Sequence, residues 1–155
     1  MRFLLLMLLV GFTSADAVDE AKHLNLSDAV GLSGYDPVSY FGDKPVKGDE
    51  KWSFEKGAGE RYHFDSKANL EAFKADPEKF LPAYGGWCAY AMLDGDKVEV
   101  DPMTYKIVEG KLYLFYNGFW GDTLKKWNKK LNKTKEAALI NQADQEWQQI
   151  VEVSD

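Results

Sequence analysis

Apolar and polar positions change their period several times along this chain, and each change marks an element. Between Trp52 and Phe64 the two kinds alternate: Trp52 and Phe54 precede Gly57-Ala58-Gly59, and Tyr62 and Phe64 follow it. This predicts a half-buried antiparallel hairpin. Tyr105 to Val108 turns at Glu109-Gly110 and returns through Lys111 to Tyr116, a second hairpin in which Gly110 takes positive φ. Elsewhere the period is helical. Ser66 stands where it can cap a helix whose Leu70 and Phe73 share a face, and Asp76-Pro77 restarts the chain with a cap and a first-turn proline. The composition of Gly86 to Leu93 suggests a further helix. Trp120, Leu124, Trp127 and Leu131 recur at helical spacing, as do Ile140, Ala143, Trp147 and Val151 after a Thr134 cap. The expected fold class is α+β: a small antiparallel sheet of hairpins with helices packed on it and two C-terminal helices.

The start of the chain reads differently. Arg2 precedes the apolar run Phe3 to Val10, and small residues follow as Thr13-Ser14-Ala15-Asp16-Ala17, a signal peptide pattern with cleavage after Ala17. Eight apolar residues extend about 12 Å as a helix, well short of the ~30 Å hydrocarbon core, so no stable membrane anchor is expected. The expected organisation is a signal peptide over 1–17, a mobile segment over 18–28 and one domain over 29–153, exported to the periplasm or secreted. A net charge of −6 weighs against nucleic acid or anionic lipid as the main partner. The five tryptophans permit a substantial core without disulfides. The single cysteine, Cys88, has no internal partner, so in an oxidising compartment it is buried, metal-bound, reactive or paired with another molecule.

Three ordered stretches, Gly34-Tyr35-Asp36-Pro37-Val38-Ser39-Tyr40-Phe41, Tyr62-His63-Phe64-Asp65-Ser66 and Phe73-Lys74-Ala75-Asp76-Pro77-Glu78-Lys79-Phe80, resemble the successive motifs of the YHS domain family. Tyr84 to Ala91 and Gly110 to Leu114 look like the longer, exported subgroup. The resemblance implies metal traffic through cysteine ligands, but the family's cysteine positions fall here on Ser39, Asp65 and Asn69. A hydroxyl, a carboxylate and an amide form a harder, weaker set than thiolates for Cu(I) or Zn²⁺. The short-module metal site therefore does not carry over.

His63, Cys88 and Met92 remain as candidate metal ligands. Cys88 and Met92 are four apart, on one face if Gly86 to Leu93 is helical, and with a strand imidazole they would make a soft site suited to copper, or to zinc. Both are equally ordinary core fillers, and His63 can be a structural histidine on the strand face opposite Tyr62 and Phe64. His23 falls in the expected mobile stretch. Tyr62, Tyr84, Gly85, Gly86 and Trp87 are the candidate small-ligand residues; the paired glycines serve either as a backbone anion nest or as a close-packing site. Asp36-Pro37 and Asp101-Pro102 read as turn starters or as carboxylates at a pocket mouth. Enzyme signatures are absent apart from a conceivable Cys88–His63 pair, so no catalytic residue is singled out. Asn25-Leu26-Ser27 and Asn132-Lys133-Thr134 match glycosylation sequons.

The leading expectation is an exported, non-enzymatic binding protein holding a metal ion or small ligand between the Tyr62 to Ser66 strand and the Gly85 to Met92 helix. Its rival is a partner-binding or structural module, with Cys88 inert and Trp120 and Trp127 as core or interface anchors. A Cys-dependent enzyme comes third.

Overall fold

The computed structural model describes residues 22–57 and 59–153. The expected signal peptide and the first residues of the expected mobile segment lie outside them. Strands β1 (Leu26–Ser27), β2 (Val30–Gly31), β3 (Asp49–Lys56) and β4 (Glu60–Phe64) form a sheet of order β1-β2-β4-β3. β3 and β4 are the first expected hairpin, antiparallel with Phe54 opposite Tyr62. One contact differs from the all-antiparallel expectation, since β2 meets β4 in parallel at Val30 and Arg61. The second hairpin, β5 (Asp101–Val108) with β6 (Lys111–Phe115), turns at Glu109 and Gly110, both at positive φ.

Helix α1 (Lys67–Ala75) starts as its sequence dictates, with the Ser66 side chain accepting from the Asn69 N–H. Its Phe73 is fully buried, with ring centroids 5.3 Å from Tyr62 and 5.1 Å from Phe64. The short α2 (Pro77–Phe80) follows with proline in its first turn. Two helices close the chain, α3 (Thr123–Lys130) and α4 (Glu136–Glu152). Thr134 is not the cap of α4; Lys135 flanks the helix, and no side chain bonds its first turn. Trp120 is not helical either. It sits with Phe119 on the tip of a small hairpin, β7 (Asn117–Gly118) with β8 (Gly121–Asp122), and is 76% exposed, whereas Trp127 of α3 is buried.

β6 divides the interior. Leu112 and Leu114 point into a core with Tyr62, Phe64, Leu70, Phe73 and Phe80, while Tyr113 and Phe115 enter a second core with Tyr84, Met92, Trp127, Leu139 and Ala143. A strand covered on both faces explains the near-continuous apolar run Leu112 to Tyr116.

One further expectation fails, for a physical reason. Gly86 to Leu93 is not one helix but two 3-10 turns, Ala83–Gly86 and Ala91–Asp94, separated by extended backbone at Trp87. Tyr84, Gly85 and Gly86 have φ of 55°, 59° and 90°, a left-handed path that cannot lead into a right-handed helix. The Cys88 and Ala89 N–H groups then bond Val98 and Leu114 carbonyls instead of a preceding turn. On the N-terminal side, residues 23–27 of the segment expected to be mobile make specific contacts with the rest of the fold. The Asn25 N–H bonds the Gly85 carbonyl at 2.8 Å, the Trp87 indole donates to the His23 carbonyl at 2.6 Å, and β1 pairs with β2.

Burial, as the largest influence in each case, raises the phenols of Tyr40, Tyr62, Tyr84 and Tyr113 above their ordinary value of about 10. A raised folded-state pKa stabilises fully below pH ~10 and loses that contribution as pH climbs above it, because the unfolded chain then releases protons the folded one keeps. Alkaline titration followed at the tyrosinate absorbance should show these four phenols ionising together with loss of the fold. Their ionisation near pH 10 in a chain that keeps its native circular dichroism would contradict this packing.

Candidate functional site

A cavity of about 590 Å³ opens where the two cores meet, with Tyr62 of β4 on one wall and Tyr84, Gly85 and Gly86 on another. Four of the five residues expected to bind a small ligand therefore share one cavity. Trp87, the fifth, does not line it, because its indole is turned to the His23 carbonyl. In place of the expected Gly85 to Met92 helix, the enclosure is completed by Leu24 to Ser27 and by Trp147 of α4.

The turn at Gly85 exists for close packing. A Cβ there would lie 3.0 Å from the Trp147 ring and 3.1 Å from the His23 carbonyl, at a φ of +59° that side-chain-bearing residues rarely adopt. The Gly85 and Gly86 carbonyls accept from the Asn25 N–H and side-chain amide, which ties the N-terminal strand over the cavity. Beside these glycines the Tyr84 hydroxyl donates to Asp144 at 2.9 Å. Burial first, and then the Asp144 charge and hydrogen bond, push that phenol far up, so at neutral pH it is a proton donor held against a carboxylate. Lys56, Lys111, Glu60 and Glu78 add charge to the lining, with Lys56 3.3 Å from Glu78. The lining is thus mixed: Tyr62, Leu114 and Trp147 offer apolar and aromatic surface, and Lys56, Glu60, Glu78, Glu99, Lys111 and Asp144 offer charge, so the cavity presents both kinds of contact to an amphipathic molecule.

None of the expected metal ligands lines this cavity. His63 is buried on the sheet face opposite Tyr62, with its Nδ1 near Gly34 and its Cβ beneath Gly48. The Cys88 sulfur, also buried, accepts from the Tyr116 N–H at 3.3 Å and lies 3.4 Å from the Thr123 hydroxyl. Met92 is a fully buried member of the second core. Among the described residues no group of three or more His, Cys, Asp and Glu side chains could hold a metal ion.

The positions that carry cysteines in the resembled family have a different occupant. Asp36, fully buried, accepts from the Val38 and Ser39 N–H groups on one oxygen and from the Asp65 N–H and the Asn69 amide on the other, at 2.8, 3.3, 2.9 and 2.6 Å. The Ser39 hydroxyl donates to the Asp36 carbonyl and accepts from Val46. Ser39, Asp65 and Asn69 thus converge, but as donors around one carboxylate whose lone pairs are already filled. A transition metal does not fit this set. Asp101 is the simpler turn carboxylate, bonding the Met103 N–H and the Thr104 hydroxyl.

Sequence reasoning missed Asp36 as a hub, and missed Asp144, Trp147 and the 24–27 segment as walls. Asp144 lies 60 residues from Tyr84 with no local pattern to announce the pair. Replacing Asp36 by Ala should cost about 3 kcal/mol or more in urea denaturation, since each buried donor left unmade costs about 1–3 kcal/mol, and Asp36→Asn should cost less. A loss under about 1 kcal/mol for Asp36→Ala would remove Asp36 from that central role.

No curated protein and no solved structure gives a significant match to the chain. The YHS domain family model matches residues 44–84, which hold β3, β4, α1, α2 and the turn into Tyr84. The Asp36 hub and most of the cavity's far wall lie outside that stretch, but its β4 supplies Tyr62 and its last residue is Tyr84 itself. The chain therefore carries a YHS domain.

Proposed function

We propose that this chain is an exported, non-enzymatic binding protein that holds a small amphipathic organic molecule between Tyr62 and the Tyr84 to Gly86 turn. The observation that carries the reading is the cavity, about 590 Å³ in a chain otherwise packed into two dense cores. That volume suits a ligand of roughly metabolite to drug size. The apolar body would rest against Tyr62, Leu114 and Trp147. A polar end would meet Lys111 or the Tyr84–Asp144 pair.

A binding role is favoured over catalysis because the lone thiol is buried with its sulfur engaged by Thr123 and Tyr116, out of reach of a substrate. YHS domains suggest metal, but the donor set at the family's ligand positions is saturated by Asp36, and an organic ligand better suits the cavity. Export rests on the apolar run Phe3 to Val10 and the small residues ending at Ala17.

Anilinonaphthalenesulfonate, a fluorescent apolar anion, should bind the folded protein at one saturable site. Ser27→Trp, on the exposed rim, and Lys111→Glu should each weaken it about tenfold, the equivalent of about 1.4 kcal/mol. Absence of binding to folded protein, or binding indifferent to both substitutions, would overturn the cavity as a ligand site.

A further inference from the structure

Among the described residues, the two largest exposed apolar groups are adjacent. Phe119 is 90% and Trp120 76% exposed, with ring centroids 4.9 Å apart in an edge-to-face arrangement at the tip of the β7–β8 hairpin. They occupy the two turn positions where tight hairpins favour Asn, Asp or Gly. The backbone demands of the turn fall on the flanking glycines. A Cβ at Gly118 would meet the Tyr116 hydroxyl at 2.6 Å, and Gly121 has a φ of +100°. The tip is anchored, since the Trp120 N–H donates to the Tyr116 hydroxyl and Lys126 bonds the Trp120 carbonyl. Two large rings are therefore held outward by a built scaffold, with no core to pack against.

The charge beside the tip is equally one-sided. The stretch 117–135 contains six lysines and a single acidic residue, Asp122, in a chain whose net charge is −6. On α3, Thr123 and Trp127 face inward, leaving Lys125, Lys126, Lys129 and Lys130 exposed. Asp122 caps the helix and lies 3.3 Å from Lys125, so the remaining lysines of that helix carry most of the unopposed charge. The net charge of the whole chain conceals this segregation.

We propose that the Phe119-Trp120 tip and the lysines of α3 form a docking surface for a bilayer rich in anionic phosphate headgroups. The rings would enter the interface, and the lysines would stay with the headgroups above it. A convex tip with no surrounding groove suits a deformable phase better than the rigid surface of a folded partner. With a Debye length of about 10 Å at 0.1 M salt, the lysines act at contact while the acidic remainder of the chain is screened.

Vesicle co-sedimentation tests this with full-length mature protein, using phosphatidylcholine alone and phosphatidylcholine mixed with phosphatidylglycerol. Binding to the mixed vesicles is expected, with loss at high salt and little binding to phosphatidylcholine alone. Lys126→Gln, Lys129→Gln and Lys130→Gln together should weaken it roughly 100-fold, about fivefold per charge. Phe119→Ser with Trp120→Ser should also abolish it while leaving the melting temperature and cavity dye binding unchanged, which separates this surface from the cavity. Failure to bind anionic vesicles, or binding indifferent to both sets of substitutions, would overturn the proposal. So would a dimer on size-exclusion chromatography that the serine variant dissolves in the absence of vesicle binding, for the tip would then be a protein contact.

Discussion

The alternation of side chains along β6 is the constraint from which the rest of the interior follows. Because successive residues of a strand point to opposite faces, Leu112 and Leu114 are committed to the core under α1 while Tyr113 and Phe115 are committed to the core under α3 and α4. One strand thus fastens the YHS segment to the C-terminal helices. The Pro82 bridge to Leu112 and the Ala89 bond to the Leu114 carbonyl bring the Tyr84 to Gly86 turn alongside it. The cavity lies at this junction, with Leu114 in its lining. It is a partly open cleft rather than a closed interior void, with charged as well as aromatic residues in its lining.

The Asp36 hub shows how a motif can persist while its chemistry changes. Cysteine thiolates converging on a point would hold a soft metal; the backbone N–H groups of Val38, Ser39 and Asp65 and the Asn69 side-chain amide are donors and need an anion instead. Asp36 supplies it, and its two oxygens join the Gly34 to Phe41 stretch to the β4–α1 junction. Four donors on one buried carboxylate make a structural staple.

Features written in short-range pattern were legible in the sequence. The β3–β4 alternation, the Glu109-Gly110 turn, the Ser66 cap and the Leu70–Phe73 face all depend on contacts within one element or one hairpin, and all are present. Tyr62, Tyr84, Gly85 and Gly86, candidates because they fall in motif segments, line one cavity. The misreadings lie where distant contacts decide. Gly86 to Leu93 has helical composition, but the left-handed turn before it and hydrogen bonds to Val98 and Leu114 prevent a helix. Trp120 fits the helical period of Trp127, yet Asp122 caps α3 after it and leaves it on the hairpin tip. Nothing local to Asn25 reveals that its amides bond the Gly85 and Gly86 carbonyls.

The central claim is that the space between β4 and the Tyr84 turn holds an organic molecule rather than a metal. Native mass spectrometry of the protein isolated from its own compartment tests it most directly. The account predicts a chain carrying one small organic adduct that is released on gentle activation and is missing from Ser27→Trp. A chain that arrives bare, or one that carries a transition-metal ion in equal amount and no organic adduct, would contradict it.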